Sequence, residues 1–292
     1  MQAEPRQSTK AYSICCQTKM SSMKLFLVLI LATAVSPIMA TRSAALFRTT
    51  VKLSNSKAKE TAYAPPAGSA PLIIYELIDN STSPGNSRFE TEIGRIYGVE
   101  TLSLASQYVL DTLYKGQKPR YGKDYSEVVA IIESFNQARL GQYPLEVAST
   151  VGNKIRLNSD YIQYFSGDVK YEFTGIMYHE STRIWQNRNE RAPAGLINGI
   201  ADYVRLKAGW PSLNWEKRGS GDRWDEGYHV TAYFLEYCNS IREGFVAELN
   251  GILRFFYSDE IFVSLLGRSV DELWIGYKLA YESPAPAPTP AC

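Results

Sequence analysis

Several features are absent from this sequence of 292 residues, and each absence excludes a class of function. Basic and acidic residues are nearly equal in number, with 31 Lys+Arg against 30 Asp+Glu, so there is no basic stripe of the kind that nucleic-acid binding requires. There is no G-x-S-x-G sequence and no glycine-rich phosphate loop, which leaves serine hydrolases and nucleotide-binding enzymes without support. Histidine occurs only at His179 and His229, which restricts any metal site.

The sequence also lacks a hydrophobic run of the roughly 20 residues that would span a bilayer. The apolar stretch 25–35 follows Lys24 and leads to small residues ending at Ala40, a pattern typical of a signal peptide. We predict that residues 1–40 are an N-terminal extension and signal peptide, and that the mature chain is secreted without stable membrane insertion. This segment holds four of the basic residues and one of the acidic residues, so its removal would leave a net charge of about −2.

Cysteine is scarce in the predicted mature chain. Two of the four cysteines, Cys15 and Cys16, lie in the leader, which leaves Cys238 and Cys292. These two permit one disulfide at most; alternatively, Cys238 is a buried free thiol and Cys292 is a loose terminal one. Asn80 begins an Asn-Ser-Thr glycosylation sequon, which agrees with secretion.

Composition divides the rest of the chain into three parts. Residues 41–70 are rich in Ser, Thr, Ala and Pro and predict a linker. Residues 283–292 carry Pro at alternate positions and predict an extended tail. The folded domain is therefore expected at residues 71–282.

Within this domain, strands come first and helices follow. Short β-branched runs predict strands at 71–79, 127–133 and 153–158. Helical spacing predicts one broken helix or two at 88–115, and helices from 159 to 281. This order favours an α+β fold in one domain, with a small N-terminal sheet and a mainly helical C-terminal half.

Residues 179–183 match the zinc-protease motif H-E-x-x-H except that Arg183 replaces the second histidine. In that motif the two His stand one helical turn apart and bind Zn²⁺, while the Glu activates the metal-bound water. A guanidinium offers only donors and stays protonated, so Arg183 cannot ligate a cation and repels one. Zinc catalysis is expected to be impaired.

Two helices are expected to form a cleft around this motif. The motif helix begins after the N-cap Asp168, and a second helix runs from about Ala194 to Ala208. Gly195 and Gly199 give the second helix a smooth surface for close packing. The side chains expected to meet in the cleft are His179, Glu180, Arg183, Asn198 and Asp202, with Tyr203 beside them.

The chain resembles the plant basic secretory protein family. The resemblance rests on Gly-Ile-Met-Tyr-His-Glu-Ser-Thr-Arg-Ile-Trp-Gln (175–186), Ala-Pro-Ala-Gly-Leu-Ile-Asn-Gly-Ile-Ala-Asp-Tyr-Val-Arg-Leu-Lys-Ala-Gly (192–209), Gly-Asp-Arg-Trp-Asp-Glu-Gly-Tyr-His-Val-Thr-Ala (221–232) and Gly-Phe-Val-Ala-Glu-Leu-Asn (244–250). It covers about residues 72–281 in order. It implies a zincin-like peptidase fold, secretion to the apoplast and a role in plant defence.

The resemblance also implies roles for particular residues. His179 matches the first zinc ligand, Glu180 the catalytic base, and Asp202 an acidic residue able to serve as third ligand. The chain departs from the family at Arg183, at Asn198 where Glu is usual, and at His229 where Asp is usual. Nothing local directs His229 at the cleft.

Two functions follow from these observations. In the first, Arg183 replaces the ion, hydrogen-bonds to Glu180 or Asp202, and leaves a catalytically silent defence protein whose cleft or tryptophan-lined loops bind a peptide, a protein or a cell-wall glycan. In the second, the chain is an active zinc endopeptidase that uses His179, Glu180 and Asp202 with a substitute ligand.

Overall fold

The computed structural model describes residues 48–53, 72–81, 85–115, 119, 123–136, 141 and 143–281. All of these described residues belong to one compact unit. The predicted leader, the proline-rich tail with Cys292, and Thr82 of the sequon lie outside the described residues. No helix in the described ranges is long and apolar enough to cross a membrane.

A five-stranded mixed sheet forms the N-terminal layer. Its strands are β1 (Arg48–Leu53), β2 (Leu72–Asp79), β3 (Glu127–Glu133), β4 (Ala148–Val151) and β5 (Lys154–Asn158), in the spatial order β1-β2-β3-β5-β4. Neighbouring strands are parallel, except that β4, at the edge of the sheet, pairs antiparallel with β5. The sheet includes β1. Residues 48–53 therefore form a strand, whereas the sequence predicted that they belong to a linker.

Strand β4 was not predicted from the sequence, whereas β2, β3 and β5 follow the hydrophobic pattern of the sequence. The middle of β3 is buried, since β3 lies between two parallel neighbours and its run Val-Val-Ala-Ile-Ile faces helices or the core on both sides. In β5, buried and exposed residues alternate at first, as expected for a half-exposed strand.

Nine α-helices cover the sheet and build the C-terminal half. They are α1 (Gly85–Arg88), α2 (Arg95–Tyr114), α3 (Ser159–Tyr164), α4 (Val169–Trp185), α5 (Ala194–Lys207), α6 (Tyr228–Ile241), α7 (Phe245–Leu253), α8 (Glu260–Leu266) and α9 (Val270–Tyr281), within the described residues. A π-helical turn at Phe89–Ile93 and Gly94, with φ 82°, interrupt the predicted helix 88–115. The arrangement confirms the predicted α+β class.

The motif helix α4 is fixed at both ends. At the start, the Asp168 side chain accepts a hydrogen bond from the Tyr171 N–H, as the N-cap prediction requires. At the end, Lys123 Nζ donates to the Ile184 carbonyl at 2.5 Å and the Tyr114 hydroxyl donates to the Trp185 carbonyl at 2.6 Å. These donors satisfy carbonyls that a helix C-terminus leaves without partners.

Helix α5 packs against α6 through its glycines. A Cβ on Gly199 would lie 2.3 Å from Thr231 Cγ2, and a Cβ on Gly195 would lie 1.7 Å from the Asp225 carbonyl oxygen. Both positions therefore require the absence of a side chain, which confirms the close packing expected from the sequence. This contact fixes α5 against α6 and the loop before it, and all three contribute residues to the cleft described below.

Candidate functional site

A cleft of about 690 Å³ lies between the edge strand β4, α4, α5 and the start of α6. The edge strand contributes Ala148, Ser149 and Thr150. The helices and the loop before α6 contribute Glu172, Ile176, His179, Glu180, Arg183, Asn198, Asp202, Arg205, Ser212, Trp215, Tyr228 and His229. Five of the six predicted cleft residues therefore share one cavity.

His179 is held by Asp202. Its Nδ1 lies 2.6 Å from Asp202 Oδ1, and the Asp202 side chain is 2% exposed. Burial alone would lower the pKa of His179, but the adjacent Asp202 carboxylate favours the imidazolium, and the pKa is raised above its usual value. This hydrogen bond places Asp202 behind the imidazole, the position of a carboxylate that orients a histidine. Its role as a metal ligand stays a prediction.

Asp202→Asn is expected to lower the pKa of His179, because it removes the charge and the hydrogen bond that most strongly oppose the effect of burial. In the wild type, the raised folded-state pKa stabilises the protein fully below the unfolded-state pKa. That contribution is lost as the pH rises through the folded-state pKa. NMR titration of the His179 ring in chelator-treated protein measures both values, with His229 as the internal reference. An unchanged His179 pKa in the variant would show that Asp202 does not control it.

Glu180 is buried and contacts the edge strand. The Thr150 hydroxyl donates to Glu180 Oε2 at 2.5 Å, and Glu180 is 7% exposed. Thr150 was not singled out in the sequence, where a threonine on a short strand carries no signal for such a contact. The bond joins β4 to the motif helix at the residue that the family resemblance assigns as catalytic base.

The sequence predicted a carboxylate partner for Arg183, and this prediction is wrong. Arg183 Nη1 donates to Asn198 Oδ1 at 2.5 Å, while Glu180 accepts from Thr150 and Asp202 pairs with His179. The physical reason is proximity. The amide oxygen of Asn198, on the side of α5 that faces Arg183, lies within hydrogen-bond distance of the guanidinium and accepts its bond. Positions 183 and 198, where the family resemblance expects His and Glu, therefore meet in space as an Arg–Asn pair.

The second histidine faces the cleft, contrary to the expectation from its local sequence. His229 stacks on Trp215, with ring centroids 5.8 Å apart and an interplanar angle of 24°. Its Nε2 is buried without a hydrogen-bond partner among the described residues. Tyr228, which has a positive φ of 45°, stacks on His179 with centroids 6.2 Å apart. The first turn of α6 thus supplies cleft residues that the sequence alone did not identify.

Tyr203 does not line this cleft, which corrects its assignment as a cleft residue. It is 4% exposed and borders a separate depression with Thr112 and Lys115. Successive helical residues turn by about 100°, so Tyr203 points away from the face that Asn198 and Asp202 share. Asn80 is exposed at the end of β2, and its glycosylation stays a prediction.

A buried ion pair at the inner end of the cleft was also missed. Arg205 Nη2 lies 2.9 Å from Glu172 Oε2, and both side chains are 7% exposed. Arg205 Nε donates to the Trp210 carbonyl. Arg205 is three residues after Asp202 and therefore near the cleft face of α5, a spacing that could have indicated it.

The donor set of this cleft does not fit a resident zinc ion. A catalytic zinc site needs three protein ligands, and no group of three His, Cys, Asp or Glu side chains suited to a metal exists within the described part of the chain. Arg183 adds a cation where the motif places a ligand, and the Asn198 oxygen is already used by that cation. The side chains of this cleft therefore do not support a reaction step on a bound metal.

The fold is of the α+β class, and its cleft combines a His-Glu helix with an edge strand. A family model described as a peptidase of plants and bacteria matches residues 71–277, and the chain belongs to this basic secretory protein family. This confirms the resemblance found in the sequence.

One curated relative extends the comparison. The chain is 43% identical over 58 residues to a Basic secretory protease of Boswellia serrata. The match covers 20% of this chain and 66% of the relative, just under two thirds of its length. No solved structure matches the chain.

Proposed function

We propose that this protein is a secreted, defence-associated member of its peptidase family that binds peptides in the cleft without zinc-dependent hydrolysis. The observation that carries the proposal is the Arg183–Asn198 pair, which occupies the position of the second zinc-binding histidine of the motif and a position where the family usually has Glu. The relative named as a secretory protease and the signal-peptide pattern support secretion.

The edge strand supports a peptide as the ligand. Strand β4 pairs with β5 on one side, and no other strand in the described ranges pairs with its second side. Its residues Ala148, Ser149 and Thr150 line the cleft. An extended peptide can add to such an edge through backbone hydrogen bonds, and side-chain pockets of the cleft then select its sequence.

The active zinc endopeptidase is the second candidate, and His229 is the observation that favours it. Its free, buried Nε2 belongs to the same cleft as His179. In this alternative, His179, Asp202 and His229 would hold the zinc ion, which would supply an activated water, and Glu180 would be the base.

Metal content of the wild-type protein, purified after secretion from plant cells, separates the two functions. We expect zinc well below one equivalent, saturable binding of unstructured peptides, and no chelator-sensitive peptide hydrolysis. Stoichiometric zinc with chelator-sensitive hydrolysis that His229→Gln abolishes would establish the endopeptidase instead. Sequencing the N-terminus of the same preparation tests cleavage near Ala40.

A further inference from the structure

Three basic side chains form a cluster around Arg183, which lines the cleft. This basic cluster consists of Lys123, Arg183 and Arg188. Arg183 lines both the main cleft and an adjoining cavity of about 250 Å³, which Arg188 and Asn198 also line. Lys123 Nζ is bonded to the carbonyl of Ile184, the residue after Arg183. The charges of Arg188 and Arg183 both act on Lys123, so the three side chains lie close together.

The basic cluster has no carboxylate partner in the described residues. Arg183 donates to the amide oxygen of Asn198 and Lys123 donates to a backbone carbonyl, so both are bonded to neutral acceptors. Burial, and then the charges of Arg188 and Arg183, lower the pKa of Lys123 to about 8. A lowered lysine pKa is expected where cations lie close together without an anion between them.

Three acids of the cleft, Glu172, Glu180 and Asp202, form their hydrogen bonds with groups outside the basic cluster. Asp202 is paired with His179 and Glu172 with Arg205. Glu180, whose charge acts on Arg183, accepts its hydrogen bond from Thr150. Glu190 lines the adjoining cavity but is exposed, and solvent screens an exposed charge. Within the described residues, Arg183 therefore feels the charge of Glu180 but forms its hydrogen bond to a neutral amide.

We infer that the cleft binds its peptide through a carboxylate, either the C-terminal carboxylate or an Asp or Glu side chain, and that Arg183 is the anchor. This inference rests on the proposed peptide-binding function. A planar guanidinium presents several N–H donors in a fork that matches a carboxylate, and only the Nη1 bond of Arg183 is used internally. A peptide lying along β4 would then carry its negative group towards the basic cluster.

Four N-acetylated hexapeptides built on one neutral sequence test the inference. The first pair differs only in a C-terminal acid or amide, and the second pair, both amides, differs only in a central Glu or Gln. Calorimetric dissociation constants are measured for the wild type, Arg183→Gln, Arg188→Gln and Arg268→Gln. Arg268 is an exposed arginine between α8 and α9 and serves as the matched control.

The charged member of at least one pair is expected to bind roughly 10- to 100-fold more tightly than its neutral twin, the range for charge-assisted hydrogen bonds. Arg183→Gln should reduce that ratio to near one, Arg188→Gln should reduce it several-fold, and Arg268→Gln should leave it unchanged. The pair that shows the preference identifies the source of the carboxylate. If Arg183→Gln fails to fold, the exposed Arg188 still provides the decisive variant.

Two results would overturn the inference in different ways. Equal binding within both pairs, or a preference that survives Arg183→Gln and Arg188→Gln, would remove the carboxylate anchor and leave peptide binding intact. Binding of none of the four peptides would remove the proposed function together with the anchor.

Discussion

The double variant Arg183→His/Asn198→Glu is expected to bind zinc and to be stabilised by it. The 2.5 Å contact between Arg183 and Asn198 shows that these two positions meet. An imidazole and a carboxylate placed there, together with His179, would complete a three-ligand set. Asp202 already holds the other nitrogen of His179, which is the support that a ligating histidine requires.

The expected effect is large enough for thermal denaturation. Zinc at about 100 times its dissociation constant adds roughly 2.7 kcal/mol to the free energy of unfolding, or about 5–10 °C in a domain of this size. Arg183→His alone should bind zinc more weakly, because Asn198 supplies no charge. Metal content and melting temperature are measured with and without zinc, with Arg183→Gln/Asn198→Gln as the control. A wild-type protein stabilised by zinc as strongly as the double variant would contradict the silent-cleft proposal.

Arg205→Met is expected to destabilise the protein by about 3–5 kcal/mol, the usual cost of leaving one member of a buried ion pair uncompensated. Glu172 would remain almost fully buried without its guanidinium, and the Trp210 carbonyl would lose its donor as well. Chemical denaturation followed by far-UV circular dichroism measures the loss.

Two matched variants isolate the cause. Lys207→Met removes a cation from the same helix, but Lys207 is 43% exposed and lies 3.7 Å from Glu236, so a loss of under about 1 kcal/mol is expected. Glu172→Leu/Arg205→Met removes both buried charges and should recover much of the lost stability. A double variant as unstable as Arg205→Met would show that packing, and not the unpaired charge, is responsible.

Local patterns predicted the elements of this fold well, because their signals act within a few residues. Asp168 was recognisable as an N-cap before an amphipathic helix, and Gly195 and Gly199 indicated close packing. Strand β1 was missed because its stretch, Arg-Thr-Thr-Val-Lys-Leu, is short and lies beside Ser- and Pro-rich sequence. Its pairing with β2 is a long-range contact that composition does not encode.

The sequence predicted five residues of the cleft but missed others, and it did not predict how they pair. The i, i+4 spacing brought His179 and Arg183 together, and Asn198 with Asp202. Charge complementarity then suggested the wrong partner for Arg183, because it ignored which facing side chain lies within reach. His229 lines the cleft and stacks on Trp215. This contact joins a loop to a helix, and no local sequence pattern predicts it.

The anchoring of α4 bears on how such a site can change over evolutionary time. Tyr114 and Lys123 come from other parts of the chain and bind the helix through backbone carbonyls. Asn250 likewise binds the backbone and side chain of Asn187 just beyond it. None of these bonds uses the side chains at 179, 180 or 183. The side chains at those positions can therefore change without loss of these anchoring bonds. A lineage can lose or regain a catalytic activity in this way while the protein stays folded.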